Sequence, residues 1–481
     1  MYVSRGCHSA PRNAAGSKMR RLLLGDQEQI RGRIRVAYFH PTNLSMTTSG
    51  KECALLAQER IKRDHKFDGH DVPGYEPMEN HVNEHDVPWF QAYDFFKDRE
   101  NLGRSVELAR KFAHKKTLVV IAHGGSITST KAVYVAMSPI VKPERELRFI
   151  DSPEPYHIME RMAGLNPEDT LIVVVSKSGA TIDNLEEWPY LRSLGFTDAV
   201  LITAYEGKTL YLMGKELKIG DNIIMVPETV GGRYSLRTAG SYFPLYMAFG
   251  VDAIKDIERG TQETYPSVDT TSPVETNTAL QTATHFFMLG DPITATMHGT
   301  RTLDQIFCPV YTHALDGAHS LLMQLQHESS CKLGRGQTLL VASGPECQHH
   351  TNVRVFGGEQ NMGVLFVVPA STGEHVVCIP KELRKEIGGL DLGKLHGNTL
   401  EEALFYEYLG TMEASAEQKI PSATVVFPEL SFRGIGNFMA FAHYAFGVYP
   451  ASIRNVNPFD QPDVEASKRI GRDLRMGRIQ D

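Results

Sequence analysis

Apolar and polar positions alternate along this chain in blocks, short buried runs separated by turns and helix-length polar stretches. Thr117-Leu-Val-Val-Ile-Ala122 is a strand-sized apolar run ended by His123-Gly124-Gly125-Ser126. Thr170-Leu-Ile-Val-Val-Val175 is a second, ended by Ser176-Lys177-Ser178-Gly179. Each precedes a predicted helix, Thr128 to Met137 after the first and Thr181 to Leu194 after the second; the latter carries its apolar residues at Ile182, Leu185 and Leu191. Strands that read as continuous apolar runs and alternate with helices are those of a parallel α/β sheet, covered on both faces. Val200-Leu-Ile-Thr-Ala204 and Ile223-Ile-Met-Val226 extend the series. The design then returns in Thr338-Leu-Leu-Val-Ala342, Val364-Leu-Phe-Val-Val368 and Thr424-Val-Val-Phe427. Between the two sets, Thr261 to Thr276 is polar and lacks apolar periodicity, which reads as a linker. The expected organisation is an amino-terminal extension (1–100), a first α/β domain (101–270), a second (271–433) and a carboxyl-terminal helical arm (434–481) with a helix from Gly434 to Gly447.

Composition narrows the classes. With 481 residues, 42% of them apolar and 22% charged, the chain has material for more than one core and is not a disordered polymer. Fifty basic against fifty-seven acidic residues leave a net charge of −7, which argues against broad electrostatic binding to nucleic acid. No apolar run approaches the roughly 20 residues of a membrane span. The six cysteines are scattered without a C-x-x-C pair, a usage that fits reduced thiols in the cytoplasm. Met1 to Gly25 contains no acidic residue but five basic ones, Arg5, Arg12, Lys18, Arg20 and Arg21, the composition of a transit segment or of a disordered tail. His70-Asp-Val-Pro73 recurs as His85-Asp-Val-Pro88, and His81-Val-Asn-Glu84-His85 between them has the form of an H-x-x-E-H zinc signature. That motif needs a helix, and Pro73, Gly74, Pro77 and Pro88 around it predict a surface loop without metal.

Two turns have the chemistry to hold an anion. A strand that passes through a Gly- and hydroxyl-rich turn into a helix exposes backbone N–H groups at the positive helix end. Gly124-Gly125-Ser126 is the weaker case, since a tight turn uses the same residues. Ser176-Lys177-Ser178-Gly179-Ala180-Thr181 gathers several donors, one of them cationic, as a phosphate dianion requires; a capped helix start is the alternative. Neither turn is a Walker A loop or a dinucleotide fingerprint, so a small phosphorylated metabolite is expected rather than ATP or NAD.

Ser176-Lys-Ser-Gly-Ala-Thr181 resembles the sugar-phosphate loop of SIS (sugar isomerase) domains. Val230-Gly-Gly-Arg-Tyr-Ser235, Gln326-His-Glu-Ser-Ser-Cys-Lys332 and Asn457-Pro-Phe-Asp-Gln-Pro-Asp-Val-Glu-Ala-Ser-Lys468 resemble, in order, three signatures of the phosphoglucose isomerase family. The resemblance implies two SIS-type domains and aldose–ketose isomerisation of glucose 6-phosphate and fructose 6-phosphate through ring opening and a cis-enediol, with no redox cofactor and no metal. A non-catalytic sugar-phosphate sensor and an isomerase of another phosphosugar, such as mannose 6-phosphate, are the alternatives. Carried over residue by residue, Glu328 is the base that moves a proton between neighbouring carbons, Arg233 the cation facing the developing enediolate, and Gly232 the residue that lets the backbone come close to the sugar. Gly344-Pro-Glu-Cys-Gln-His349-His350-Thr351 resembles the segment of the ring-opening histidine, which selects His349 with His350 as the alternative. Lys468 and Gln461 match residues at the open-chain sugar, and Gln324 a substrate contact. Gly125, Ser126, Ser176, Lys177, Ser178 and Thr181 fall on phosphate-binding positions. The family's histidine comes from the neighbouring subunit, so a homodimer is implied. Asp463 stands where the family has glycine, Ser330-Cys331 where it has Asn-Gly, and Val353-Arg-Val-Phe356 and the region before Asn101 are atypical. The chemistry-bearing side chains are kept, and substrate range is what the changed neighbours put in question.

Overall fold

The computed structural model describes residues 34–38, 46–62, 67–69, 78–290, 302–373, 375–427 and 429–478. The basic start and the His70-Asp-Val-Pro73 copy of the repeat lie outside the described residues. In chain order, β1 (Arg35–Tyr38) precedes β2 (Thr117–Ala122), β3 (Glu146–Ile150), β4 (Thr170–Val175), β5 (Ala199–Thr203) and β6 (Ile223–Met225). After them come β7 (Gln305–Val310), β8 (Thr338–Ser343), β9 (Met362–Pro369), the short antiparallel hairpin β10 (Glu386–Ile387) and β11 (Leu390–Asp391), and β12 (Ser422–Phe427).

The first sheet has the order β3-β2-β4-β5-β6 and is parallel throughout. Every residue of β2, β4 and β5 is buried, which is why these strands are unbroken apolar runs. From β2 the chain crosses to β3 on one side, then returns to β4 on the other, so a crevice opens beyond the carboxyl ends of β2 and β4. Both turns that the sequence suggests for an anion lie at this switch point. The second sheet, β1-β12-β9-β7-β8, is parallel except for β1, which pairs antiparallel with β12. Two mainly parallel sheets flanked by helices are the expected architecture.

The ends of the chain are more integrated than expected. The region before Asn101 supplies β1 to the second sheet, and its helix Thr48–Lys62 sends Gln58 Nε2 to Ser272 O (2.8 Å). The helix Phe432–Ala442 is buried through nine of its eleven residues and runs on through a π-helical stretch to Val448, whereas Glu465–Arg475 buries none. The polar stretch read as a linker is not one in its first half: Thr261 and Thr264 lie in the 30-residue helix Ala239–Val268. Their hydroxyls are used there, Thr261 Oγ1 donating to Glu258 O (2.8 Å) and Thr264 Oγ1 accepting from Asn437 Nδ2 (2.8 Å). Polarity that serves bonds within and between helices looks, in sequence, like polarity that faces water.

His81 closes a short 3-10 turn, Met78–His81, and His85 lies beyond it in a separate turn, so no helix presents both rings on one face. The loop reading holds in that respect, but His81 is buried, stacked on Phe459 at 5.4 Å, rather than at the surface. Among the described residues no group of three His, Cys, Asp or Glu side chains is placed to hold a metal. Cys53, Cys308, Cys331 and Cys347 are free thiols, whereas Cys378 is disulfide-bonded, which departs from the expectation of reduced thiols throughout. No described helix is long and apolar enough to cross a membrane.

Candidate active site

The turn after β4 leads into a helix that begins without a side-chain cap. Gly179 takes φ = +63°, a conformation that L side chains rarely adopt, and lets the chain double back into the helix Ile182–Ser193. Thr181 is the N-cap of that helix, yet no side chain caps it. Its hydroxyl instead meets Ser176 Oγ at 2.9 Å, so the first-turn N–H groups keep their positive end uncapped. That disposes of the capped-start alternative. Ser176 is buried, Lys177 and Thr181 are half-buried, and Ser178 is exposed with its Oγ accepting from Ala180 N (3.3 Å).

The turn after β2 has a different task. A Cβ on Gly125 would lie 2.3 Å from Arg233 N and 2.5 Å from Gly232 C, so backbone touches backbone there. Gly232 is tight from its own side, its Cβ position falling 3.3 Å from Gly125 Cα. The close approach that these glycines permit is to each other, which seats Arg233 beside the turn after β2. The helix Gly125–Met137 opens three residues earlier than predicted, which puts Ser126 in its first turn. His123, at the end of β2, ties this turn to the other: its Nε2 lies 2.8 Å from Glu187 Oε2 on the helix Ile182–Ser193. Burial works to lower the His123 imidazole, but the bond to Glu187 and its charge outweigh that and hold it above its usual value.

Glu328 lies in the last turn of the helix His319–Ser330, with its side chain 25% exposed. Both carboxylate oxygens are held: Oε1 accepts from Gln324 Nε2 (2.8 Å), one helical turn earlier, and Oε2 from Arg233 Nη1 (3.1 Å). Gln324 Oε1 in turn accepts from Thr128 Oγ1 (3.1 Å), which belongs to the helix that opens at Gly125. Arg233 is fully buried and uses its whole fork. Nε donates to Ser329 Oγ (2.9 Å), Nη1 also to Gln461 Oε1 (2.6 Å), and Nη2 to Pro458 O (2.6 Å) and Asp460 O (3.0 Å). Glu328, Arg233, Gln324 and Gln461 therefore form one bonded group fastened to the helix that opens at the β2 turn.

Two of the four residues predicted to be catalytic, Lys468 and His349, stand outside that group. Lys468 is exposed on the helix Glu465–Arg475 and donates to Glu465 Oε1 (2.9 Å). The helix itself is tied to the helix Ile182–Ser193 by Arg475 Nη2 to Asp183 Oδ1 (2.8 Å). His349 is exposed at the end of the 3-10 turn Glu346–His349, and no bond joins its side chain to the Glu328 group. His350 beside it has both ring nitrogens engaged, Nε2 with Glu346 (3.3 Å) and Nδ1 with Thr351 Oγ1 (2.7 Å).

Sequence reasoning missed Thr128, Ser329, Lys332 and Asp460. Lys332 and Asp460 were within the quoted signatures, Lys332 as the single lysine of its segment and Asp460 as one of two aspartates, with Asp463, in its own. Ser329 and Thr128 carry no signal of their own.

The model of a family described as phosphoglucose isomerase matches residues 104–361. A glucose-6-phosphate isomerase of Rubrobacter xylanophilus is 28% identical over 398 residues, covering 79% of this chain and 88% of its own length. One from Thermus thermophilus is 29% identical over 370 residues, 74% of this chain and 82% of that one. Among solved structures, a glucose-6-phosphate isomerase from Chlamydia trachomatis superimposes with a TM-score of 0.72 at 18% identity, over 98% of this chain and 94% of the other.

Proposed function

The chain belongs to the phosphoglucose isomerase family, whose model matches more than half of it, and from that premise we propose how its residues interconvert glucose 6-phosphate and fructose 6-phosphate. The reaction moves a carbonyl between two neighbouring carbons, so a proton must leave one carbon and return to the next. A single carboxylate above both carbons can carry it through a cis-enediol. Glu328 is that carboxylate, aimed by Gln324 and Arg233. Arg233, desolvated and immobile, offsets the negative charge that develops on the enediol oxygens more strongly than a hydrated cation would. Ser126, Ser176, Lys177, Ser178 and Thr181 grip the phosphate, and because that group does not react, its binding energy fixes the sugar carbons under Glu328. His349 opens the sugar ring from the neighbouring subunit of a homodimer, as its exposure allows, with Lys468 and Gln461 at the open chain. Such an enzyme serves glycolysis and gluconeogenesis, and we place it in the cytoplasm.

The observation that carries this reading is the bonded path from Glu328 through Gln324 to Thr128, which couples the base to the helix that begins at the β2 turn. The test is a coupled assay with fructose 6-phosphate in the presence of EDTA, repeated in deuterium oxide. Glucose 6-phosphate carrying deuterium at C2 is the expected product. Binding without product would mean a sugar-phosphate sensor, loss of activity to EDTA would mean a metal, and preferential use of mannose 6-phosphate would change the substrate.

A further inference from the structure

A buried ion pair lies directly beneath the Glu328 group, and the proposed chemistry makes no use of it. Lys332 follows Glu328 by four residues, just past the end of its helix, and is 3% exposed. Its Nζ donates to Asn457 O, to Asp460 Oδ1 and to Asp460 O, the last at 2.8 Å. An ammonium has three donors and no acceptor, so all its bonding capacity is spent on one four-residue segment. Arg233 holds the same segment from the other side, through Pro458 O (2.6 Å) and through Asp460 O (3.0 Å), the carbonyl that Lys332 also bonds. The next residue, Gln461, completes the circuit to Arg233 Nη1 at 2.6 Å. Two buried cations thus converge on Asn457–Asp460, and the Asp460 carboxylate, 2% exposed, is the counterion beside Lys332. Buried charges persist only when paired and bonded, so removing either partner leaves the other uncompensated.

We propose that Lys332, paired with Asp460, is a positioning residue for the isomerisation. It holds the Asn457–Gln461 segment so that Arg233 and Gln461 keep their polar atoms on Glu328 and on the reacting carbons, while itself touching neither Glu328 nor, as assigned here, the sugar. This rests on the isomerase reading above.

The pair's titration gives a readout that a purely structural lysine would not. Burial lowers the Lys332 ammonium to about 8; Asp460 opposes this, Arg233 pushes the same way, and Asp463 opposes it more weakly. These are the charged groups that face it. As Lys332 loses its proton the clamp on Asp460 weakens, so kcat falls as pH rises above about 8. Stability moves the other way. A folded-state value below the unfolded one, about 10.4, means that the folded protein gives up its proton first, so this group's contribution to stability rises with pH between the two values. Activity and stability therefore separate on the alkaline side.

The experiment compares the purified full-length chain with Lys332→Met and Asp460→Asn, measuring kcat and KM for fructose 6-phosphate and melting temperature from pH 7 to about pH 10. Expected are a kcat lowered by about 10- to 100-fold in Lys332→Met, a KM within about threefold, and loss of the alkaline fall in kcat. Asp460→Asn should move that fall to lower pH, because the ammonium has lost its counterion; this arm and the wild-type profile read the proposal even where Lys332→Met does not fold. Wild-type turnover with an unchanged kcat in Lys332→Met, a defect confined to KM, or an alkaline fall that Asp460→Asn leaves in place would overturn the assignment alone. Absence of turnover in the wild type would remove the isomerase reading first, and this assignment with it.

Discussion

The two sheets offer the same opening and put it to different uses. In the first, the crevice beyond β2 and β4 is walled by glycine, serine, lysine and threonine, and the helix after β4 begins without a side-chain cap. In the second, β7 lies between β8 and β9, which makes an equivalent switch point beyond the ends of β7 and β9. There Tyr311, the residue after β7, is buried and its hydroxyl accepts from Gln348 Nε2 (2.6 Å). Tyr311 and Tyr408 meet edge to face at 5.6 Å, and the space left between Tyr311, Pro369, Phe405 and Tyr408 is a cavity of about 20 Å³. Topology supplies a place where a ligand can bind, and the side chains at the strand ends decide whether it is a site or a plug.

That contrast can be broken by exchanging what each region is asked to lose. Phe366, fully buried in β9, belongs to the filled region; Phe366→Ala should cost about 3–5 kcal/mol of stability with KM for fructose 6-phosphate changed by less than about twofold. Thermal melts and steady-state kinetics check it, and a large KM effect would show that the second region shapes the sugar site. Lys177→Ala should do the reverse. A charge-assisted bond to phosphate contributes about 1.5–3 kcal/mol, so substrate affinity should fall about 10- to 100-fold with the melting temperature little changed, as titration with fructose 6-phosphate would record. Arg475→Ala breaks the partly exposed tie to Asp183 and should cost no more than about 1 kcal/mol, with kcat reduced at most about fivefold. A larger loss would mean that the tie sets the position of the helix carrying Lys468.

The same contrast accounts for what is legible in the sequence alone. β2, β4 and β5 were legible because strands covered on both faces must be apolar throughout, and the β4 turn because its donors follow one another in sequence. β1 was not, since Arg35-Val-Ala-Tyr38 is short and sits at the sheet edge on β12, where nothing local announces its partner. The helix after β2 was placed three residues late because Gly125 and Ser126 look like turn residues, although they form its first turn. Within the site, Glu328, Arg233 and Gln461 were identified by resemblance, but the bonds among them span 95 and 228 positions of sequence and exist only after folding. Lys332 and Asp460 were invisible as a pair for the same reason: each looks like a surface charge until folding buries them against each other.

The most direct measurement is the turnover of Glu328→Gln, which keeps the shape of the side chain and removes its ability to take a proton. The folded variant should bind fructose 6-phosphate with an affinity within a few-fold of the wild type and turn it over about 10²- to 10⁴-fold more slowly. Turnover within about tenfold of the wild type, with binding intact, would contradict the assignment of Glu328 as the base.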